Sequence, residues 1–311
     1  MRILFLGSPA FAVPPLQALV AKGYEVVGVL TQPDRPAGRH RTLIAPPVKQ
    51  AAQELGLPVL QPETLRDASF IQQLKELKIE VGVVAAYGEL LRKAILTLPP
   101  LGYLNIHPSL LPLQRGPAPV AGAILAGEQE VGVSIMKLDK GMDSGPILAQ
   151  AKIPLESTMR TGTLTDLLFD LGSKLLLEVL PPYAAGTLPL VPQDHSRATF
   201  TKIIQKSDGQ IAWNLPAEVI ERRLRAYDPW PGTYTFWKQQ PLKILAGKVH
   251  SFPQTAQAPG TILSLPEIAN PLVRTGEGAL ELEQVQPAGK RQMPGQEWLR
   301  GQRAALGQQL G

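Results

Sequence analysis

No cysteine occurs among the 311 residues. Disulfides, thiolate zinc sites and a cysteine nucleophile are therefore excluded. Long apolar runs are also missing: no stretch approaches the ~20 residues needed to cross a bilayer as a helix. Histidine is scarce. His40, His107, His195 and His250 are the four in the chain, and none stands at metal-ligand spacing from another histidine or a carboxylate, so no bound metal is expected. The first strand-to-helix turn reads GSPAF at 7–11 rather than G-x-G-x-x-G. With that dinucleotide fingerprint absent, a nicotinamide-dependent oxidoreductase is set aside. The opening MRILFLGSP has only four apolar residues, Ile3 to Leu6, before Gly7. That is too short for a signal peptide or anchor and suits a buried strand. The expectation is a soluble, cytoplasmic protein without a membrane partner.

Proline is abundant instead, at 31 of 311 residues, about twice the usual ~5%. Many defined turns are implied and an all-helical bundle is disfavoured. The formal charge of +5 permits a polyanionic partner without demanding one. Part of it is concentrated: QPDRPAGRHRTLIAPPVK (32–49) holds Arg35, Arg39, Arg41 and Lys49 against Asp34. A structureless 18-residue loop in a compact domain is more often functional than accidental, although a solvated basic loop is the default for such a composition.

Up to about residue 200 the pattern alternates between strand and helix. Apolar strands are expected at 2–7, 24–30, 58–61 and 80–86, with helices from Pro14 or Pro15 to Gly23, at 48–56 and at 69–78. Near-continuous apolar strands joined by amphipathic helices imply an α/β fold with a doubly wound, Rossmann-like, mostly parallel sheet. Two further strands at 131–138 and 146–155 are expected to pair antiparallel, followed by a strong helix at 163–180. From 181 to 210 the chain is rich in Pro, Gly and polar residues and reads as a linker. The domain boundary is placed there, giving 1–203 as a catalytic domain and 204–311 as a second one. After a helix at 217–227, five short strand candidates (233–237, 241–249, 260–264, 271–275 and 279–285) suggest a smaller OB-like β-barrel. A last helix is expected from Gly295 to about Leu306.

The most informative run is NIHPSLLPLQRGPAP at 105–119. Asn105 and His107 lie two residues apart at a strand end, so their side chains leave the same face. An amide that donates and an imidazole that donates or accepts can together hold an oxyanion on a carbon under attack. Downstream, LDKGMDSGPIL (138–148) adds two loop aspartates. Asp139 suits a turn; Asp143 could set the charge of the imidazole or take a proton.

Asn105, His107 and Asp143, with SLLP at 109–112 and Arg115–Gly116, resemble the signature of folate-dependent formyltransferases. The likeness runs along essentially the whole chain. It implies transfer of a formyl group from the co-substrate 10-formyltetrahydrofolate to an amine, with no metal. Asn105 and a protonated His107 would stabilise the oxyanion of a tetrahedral intermediate, and Asp143 would keep His107 charged and help move the proton. The resemblance further implies a folate pocket at Ala86, Tyr87 and Gly88 and at Ser109, Leu110, Leu111 and Pro112. Within the family the chain is most similar to the branch whose acceptor is methionine on initiator tRNA, though Pro108 departs from the small residue more usual there. In that branch the 32–49 loop faces the tRNA acceptor stem, so Arg35, Arg39, Arg41 and Lys49 become candidate tRNA contacts, joined by Lys290 and Arg291 in the second domain. A monomer is expected, and a loop that is mobile without tRNA. Another amine, glycinamide ribonucleotide or an amino-sugar nucleotide, is the rival acceptor. A tRNA- or nucleotide-binding protein that has lost the chemistry is the rival class.

Overall fold

The structure is a computed structural model and describes residues 1–37, 42–253, 256–302 and 305–311. It divides into two compact units. The first comprises Met1–Pro119, Glu130–Pro154 and Leu164–Thr201; the second comprises Val120–Gln129, Leu155–Thr163 and Lys202–Gly311.

The first unit is built on β1 (Arg2–Gly7), α1 (Val13–Ala21), β2 (Glu25–Leu30), the short β3 (Arg35–Ala37) and β4 (Thr42–Ile44), α2 (Pro47–Glu54), β5 (Val59–Leu60) and α3 (Ala68–Glu76). It continues through β6 (Val81–Ala85), α4 (Lys93–Leu96) and β7 (Tyr103–His107). Beyond α5 (Pro119–Ala126), whose residues from Val120 on belong to the second unit, come β8 (Glu130–Lys137), β9 (Ile147–Pro154) and the long α6 (Thr161–Ala184), which belongs to the first unit from Leu164 on. Seven strands form one sheet in the order β5-β2-β1-β6-β7-β8-β9. Pairings from β5 to β7 are parallel, while β8 runs antiparallel to both β7 and β9.

Burial explains why the strands are apolar almost throughout. Ile3 and Phe5 of β1 pack on one face of the sheet with Leu16, Leu19 and the α6 residues Phe169 and Leu176. Leu4 and Leu6 pack on the other, with Phe70 and Leu74 of α3 and Ile95 of α4. Alternate side chains of a strand point to opposite faces, so a sheet covered on both sides needs an apolar residue at every position. The chain leaves β1 for β2 on one side and returns to β6 on the other. Ligands of open α/β sheets gather at the carboxyl ends of strands around such a reversal.

Strand β7 carries the candidate site, and its inner neighbours fix it. Leu104 and Ile106 belong to the α6 side of the core, Tyr103 to the opposite side, so Asn105 and His107 share the Tyr103 face. Gly172 lets α6 approach: a Cβ there would lie 2.6 Å from Ile106 Cγ2 and 3.0 Å from Val133 Cγ2. Gly172→Ala is expected to destabilise the protein. Glycine-to-alanine in a helix gains about 1 kcal/mol of propensity, but overpacking costs about 1–3 kcal/mol. A lower Tm by calorimetry checks it, and a raised Tm would show that α6 yields freely.

In the second unit, α7 (Ala217–Ala226) precedes β10 (Thr233–Trp237), β11 (Gln240–His250), β12 (Ile262–Leu263), β13 (Leu272–Arg274), β14 (Ala279–Pro287), β15 (Met293–Pro294) and α8 (Gly295–Arg300). The sheet is antiparallel, in the order β10-β11-β14-β13-β12 with β15 added to β14. Its core gathers Trp213, Ile220, Leu224, Trp237, Leu282 and Trp298. The chain's end joins the sheet's two edges. Gly307 N–H donates to Ile262 O and Ile262 N–H to Gln308 O on β12, while Gly311 N–H donates to Phe236 O on β10. Satisfying edge strands in this way gives the sheet its barrel character.

Three expectations need correction. The described part of 32–49 is not structureless: β3 and β4 pair antiparallel with Arg35 opposite Ile44, and α2 begins at Pro47. All three β4 residues are exposed, so no apolar alternation announces the strand. The strong helix does not stop before Pro181 but continues through Pro182 to Ala184. The carbonyls of the two prolines still accept, from Ala185 N–H and Thr187 N–H, so the helix continues past them although each proline gives up its own donor. The final helix ends at Arg300 rather than near Leu306; Arg303 and Ala304 lie outside the described residues.

Candidate active site

Loops at the carboxyl ends of the parallel strands are tied into one network. Ser8, after β1, accepts at Oγ from Gln32 N–H at 3.2 Å and from Thr31 Oγ1 at 3.3 Å. Its own hydroxyl donates to Tyr87 O at 3.4 Å, an oxygen that Gln32 Nε2 also reaches. Gln61, after β5, donates from Nε2 to Gln32 O and to Asp34 Oδ1, both at 2.8 Å. The turn after β6 needs unusual backbone: Ala86 has φ +52 and Gly88 φ +89. Glycine adopts this without strain. Tyr87 between them is buried, and burial raises its phenol pKa.

At the end of β7 the sheet presents Asn105 and His107. His107 is 4% exposed. Its Nε2 lies 3.1 Å from the backbone oxygen of Gln114; a carbonyl only accepts, so Nε2 carries the hydrogen and Nδ1 the lone pair of the neutral ring. That Nδ1 faces Asp143 Oδ1 at 3.7 Å, too far for a direct hydrogen bond. Asp143 is held at its other oxygen, Oδ2, which accepts from Gly116 N–H at 2.8 Å. Asn105 is half-buried, and its amide has no hydrogen-bond partner among the described residues. The three side chains singled out from the sequence thus sit on a strand end and a loop whose spacing is set by backbone contacts at 114–116.

The charge state differs from the expected one. Burial pushes the His107 pKa below the ordinary imidazole value; the Asp143 carboxylate and the Gln114 carbonyl pull it up, and the Arg115 guanidinium pushes it down. Burial outweighs Asp143, so the resting imidazole is neutral rather than protonated. The unfolded chain binds the proton more tightly, so no stability is lost above pH ~6.5, and stability falls as pH drops below that toward the folded pKa. An NMR titration of His107, assigned by comparison with His107→Gln, is expected to show a midpoint below ~6.5. Asp143→Asn removes an upward influence and should lower the midpoint further; an upward move would refute this balance.

The remaining predicted residues separate into groups. Asp139 makes the expected turn, its Oδ1 accepting from Gly141 N–H and Ser144 Oγ. Ser109 and Leu111 are buried and build the loop: Ser109 Oγ donates to Leu113 O at 2.7 Å, and Leu111 packs with Met136 and Ile147. Of the SLLP run, Leu110 and Pro112 keep partial exposure. Arg35 is exposed on β3. Lys49 is committed to both oxygens of Asp34, at 2.8 and 2.7 Å, so its charge is compensated locally. Arg39 and Arg41 lie outside the described residues. Lys290 and Arg291 are exposed between β14 and β15, Arg291 within 3.1 Å of Glu297.

Residues the sequence reading did not single out complete the site. The stretch read as a linker in fact lies along the 112–116 loop. Arg115 N–H donates to Thr199 O at 2.9 Å, Thr201 N–H to Arg115 O at 2.8 Å, and Gln114 N–H to Thr199 Oγ1 at 2.8 Å. Arg115, 4% exposed, donates from Nε and Nη2 to Gln193 Oε1 at 3.1 and 2.7 Å, and from Nη2 to His195 Nδ1 at 3.0 Å. No local pattern could have signalled contacts between residues about eighty positions apart.

Comparison with known proteins matches this architecture. Residues 1–180 fit the family model described as formyl transferase, and residues 203–303 the one described as formyl transferase, C-terminal domain. The methionyl-tRNA formyltransferase of Chloroflexus aurantiacus is 64% identical over 97% of both chains. That of Geobacillus thermodenitrificans is 43% identical over 100% of this chain and 98% of its own. Among solved structures, an N-formyltransferase from Helicobacter canadensis, in complex with folinic acid and dTDP-3-aminofucose, superposes with a TM-score of 0.67. It is 17% identical, over 94% of this chain and all of its own, a likeness of fold.

Proposed function

Because the chain belongs to the formyl transferase family through both of its domains, we propose that it moves the formyl group of 10-formyltetrahydrofolate onto the α-amino group of methionine carried by initiator tRNA, for translation initiation. The observation that carries the choice of acceptor is identity above 60% with methionyl-tRNA formyltransferases over nearly the whole of both chains. The site supports the chemistry.

In the mechanism that fits the geometry, neutral His107 accepts a proton at Nδ1 from the acceptor ammonium, Nε2 being fixed on Gln114 O. The freed amine attacks the formyl carbon, and the electron pair of the carbonyl moves to its oxygen. The Asn105 amide and the newly charged imidazole donate to that oxygen. Asp143, 3.7 Å from Nδ1, stabilises the imidazolium while it exists. As the bond from carbon to N10 of the folate breaks, His107 passes its proton to N10, which leaves as the amine of tetrahydrofolate. The imidazole, neutral again, takes the second proton from the former ammonium nitrogen and releases it to solvent as the formamide forms. Protonation of His107 is thus an event within the cycle rather than its resting state.

The folate would lie along the carboxyl edge near Ala86–Gly88 and the exposed side of Leu110 and Pro112. Residues 1–203 would hold the chemistry and 204–311 part of the tRNA surface, with Lys290 and Arg291 reaching phosphates. Arg35, Arg39 and Arg41 would meet the acceptor end, whereas Lys49 would brace Asp34. The proposal includes a monomer working in the cytoplasm. Formyl transfer measured side by side to methionyl initiator tRNA, glycinamide ribonucleotide and an amino-sugar nucleotide tests it. Transfer to the tRNA alone is expected; transfer to a small amine alone would overturn the acceptor, and none to any would overturn the chemistry.

A further inference from the structure

We infer that Gln193 is a positioning residue for this reaction, setting the place of the Asp143 carboxylate opposite His107. The inference rests on the formyl-transfer reading above and concerns a residue in the interval between the two family matches, which end at 180 and resume at 203.

Gln193 is 6% exposed, and its amide is used at both ends. Nε2 donates to Asp143 O at 2.8 Å and to Gly145 O at 2.6 Å. Oε1 accepts twice from Arg115. Two carbonyls on one side and a guanidinium on the other leave only one orientation for the amide. The contacts close a ring. Arg115 holds Gln193, Gln193 holds the Asp143 carbonyl, and the Asp143 carboxylate accepts from N–H of Gly116, the residue bonded to Arg115. The ring abuts His107 through Gln114 O. One short loop, 114–116, therefore carries both the imidazole's anchor and the carboxylate's anchor, and Gln193 is the strut between them.

Two features show why a strut is needed. Asp143 has φ +49, a left-handed conformation that aspartate tolerates better than most residues with a side chain, so its backbone preference alone does not fix where the carboxylate points. The Asp143–His107 gap of 3.7 Å has no direct hydrogen bond to maintain it. Arg115 in turn has no carboxylate within ion-pair distance among the described residues. A buried guanidinium needs acceptors for its donors; at Nε and Nη2 these are the neutral Gln193 and His195, leaving Asp143's charge directed at His107.

The test is a double-mutant cycle on the full chain, with saturating kcat and both KM values measured for wild type, Gln193→Glu, Asp143→Asn and the pair. Glutamate keeps an acceptor for Arg115 but cannot donate to the Asp143 and Gly145 carbonyls. Gln193→Glu is expected to lower kcat by about 10–100-fold, the scale of a small misplacement at a reacting centre, with each KM within about 3-fold. In the Asp143→Asn background the same change should cost less than about 3-fold, since residues acting through one group are not additive. A merely structural role would give the same factor in both backgrounds. That outcome, or wild-type kcat in Gln193→Glu, overturns the inference. Should the glutamate variant fail to fold by thermal melting, Gln193→Met is taken through the same cycle under the same criteria. Wild-type protein that does not formylate would overturn the functional reading instead.

Discussion

His107→Gln is expected to lower kcat by about 10²–10⁴-fold, the usual worth of a positioned general acid–base, while the affinity for tRNA stays near wild type. Glutamine can still donate to the Gln114 carbonyl that anchors Nε2, so the loop at 114–116 keeps one of its fixed points. What is lost is the lone pair at Nδ1 facing Asp143. Loss of rate should therefore appear in single-turnover measurements at every pH, not only below the midpoint of the wild-type profile. The variant should also be less sensitive to acid in thermal melts, because the buried imidazole whose pKa is pushed down has been removed and the unfolded chain has no extra proton to gain there. A variant with wild-type turnover, or one whose only defect is a raised KM, would contradict the role given to His107.

Asn105→Ala is expected to lower kcat and kcat/KM together by about 10²–10³-fold, the effect of deleting one oxyanion donor. Nothing in the fold depends on this amide: it has no hydrogen-bond partner among the described residues, and its position on β7 is fixed by backbone pairing with Val84 and Met136. Stability should change little. That contrast, large in rate and small in Tm, separates an amide poised for a reacting oxygen from one that merely fills a strand end. A donor that acts on the transition state alone should also leave substrate binding intact.

Much of this was legible from residue order. Alternation in β1 and β7 follows from period two, and burial on both faces explains the apolar runs that announced the parallel sheet. The two-residue spacing of Asn105 and His107 was sufficient to place them on one face, because strand geometry leaves no other option. What escaped was non-local. The segment after α6 is rich in proline and polar residues and has no period, yet Gln193, Thr199 and Thr201 hydrogen-bond to the Gln114–Arg115 segment. Charge state escaped for a similar reason. That His107 is neutral at rest depends on its burial outweighing the attraction of Asp143, and burial is a property of the packed sheet. The pairing of β3 with β4 has no sequence signal because β4 is exposed at all three positions, where no hydrophobic pattern is needed.

In the proposed reaction, a strand end bearing Asn105 and His107, with Asp143 opposite, transfers a formyl group to methionine on its tRNA. Single-turnover transfer of radiolabelled formyl from 10-formyltetrahydrofolate to methionyl initiator tRNA, with wild type and Asn105→Ala compared at saturating substrates, tests it most directly. Label is expected on the methionine nitrogen with wild type, and a rate at least ~100-fold lower with the variant. Equal rates in the two proteins, or no label on methionine with wild type, would contradict it.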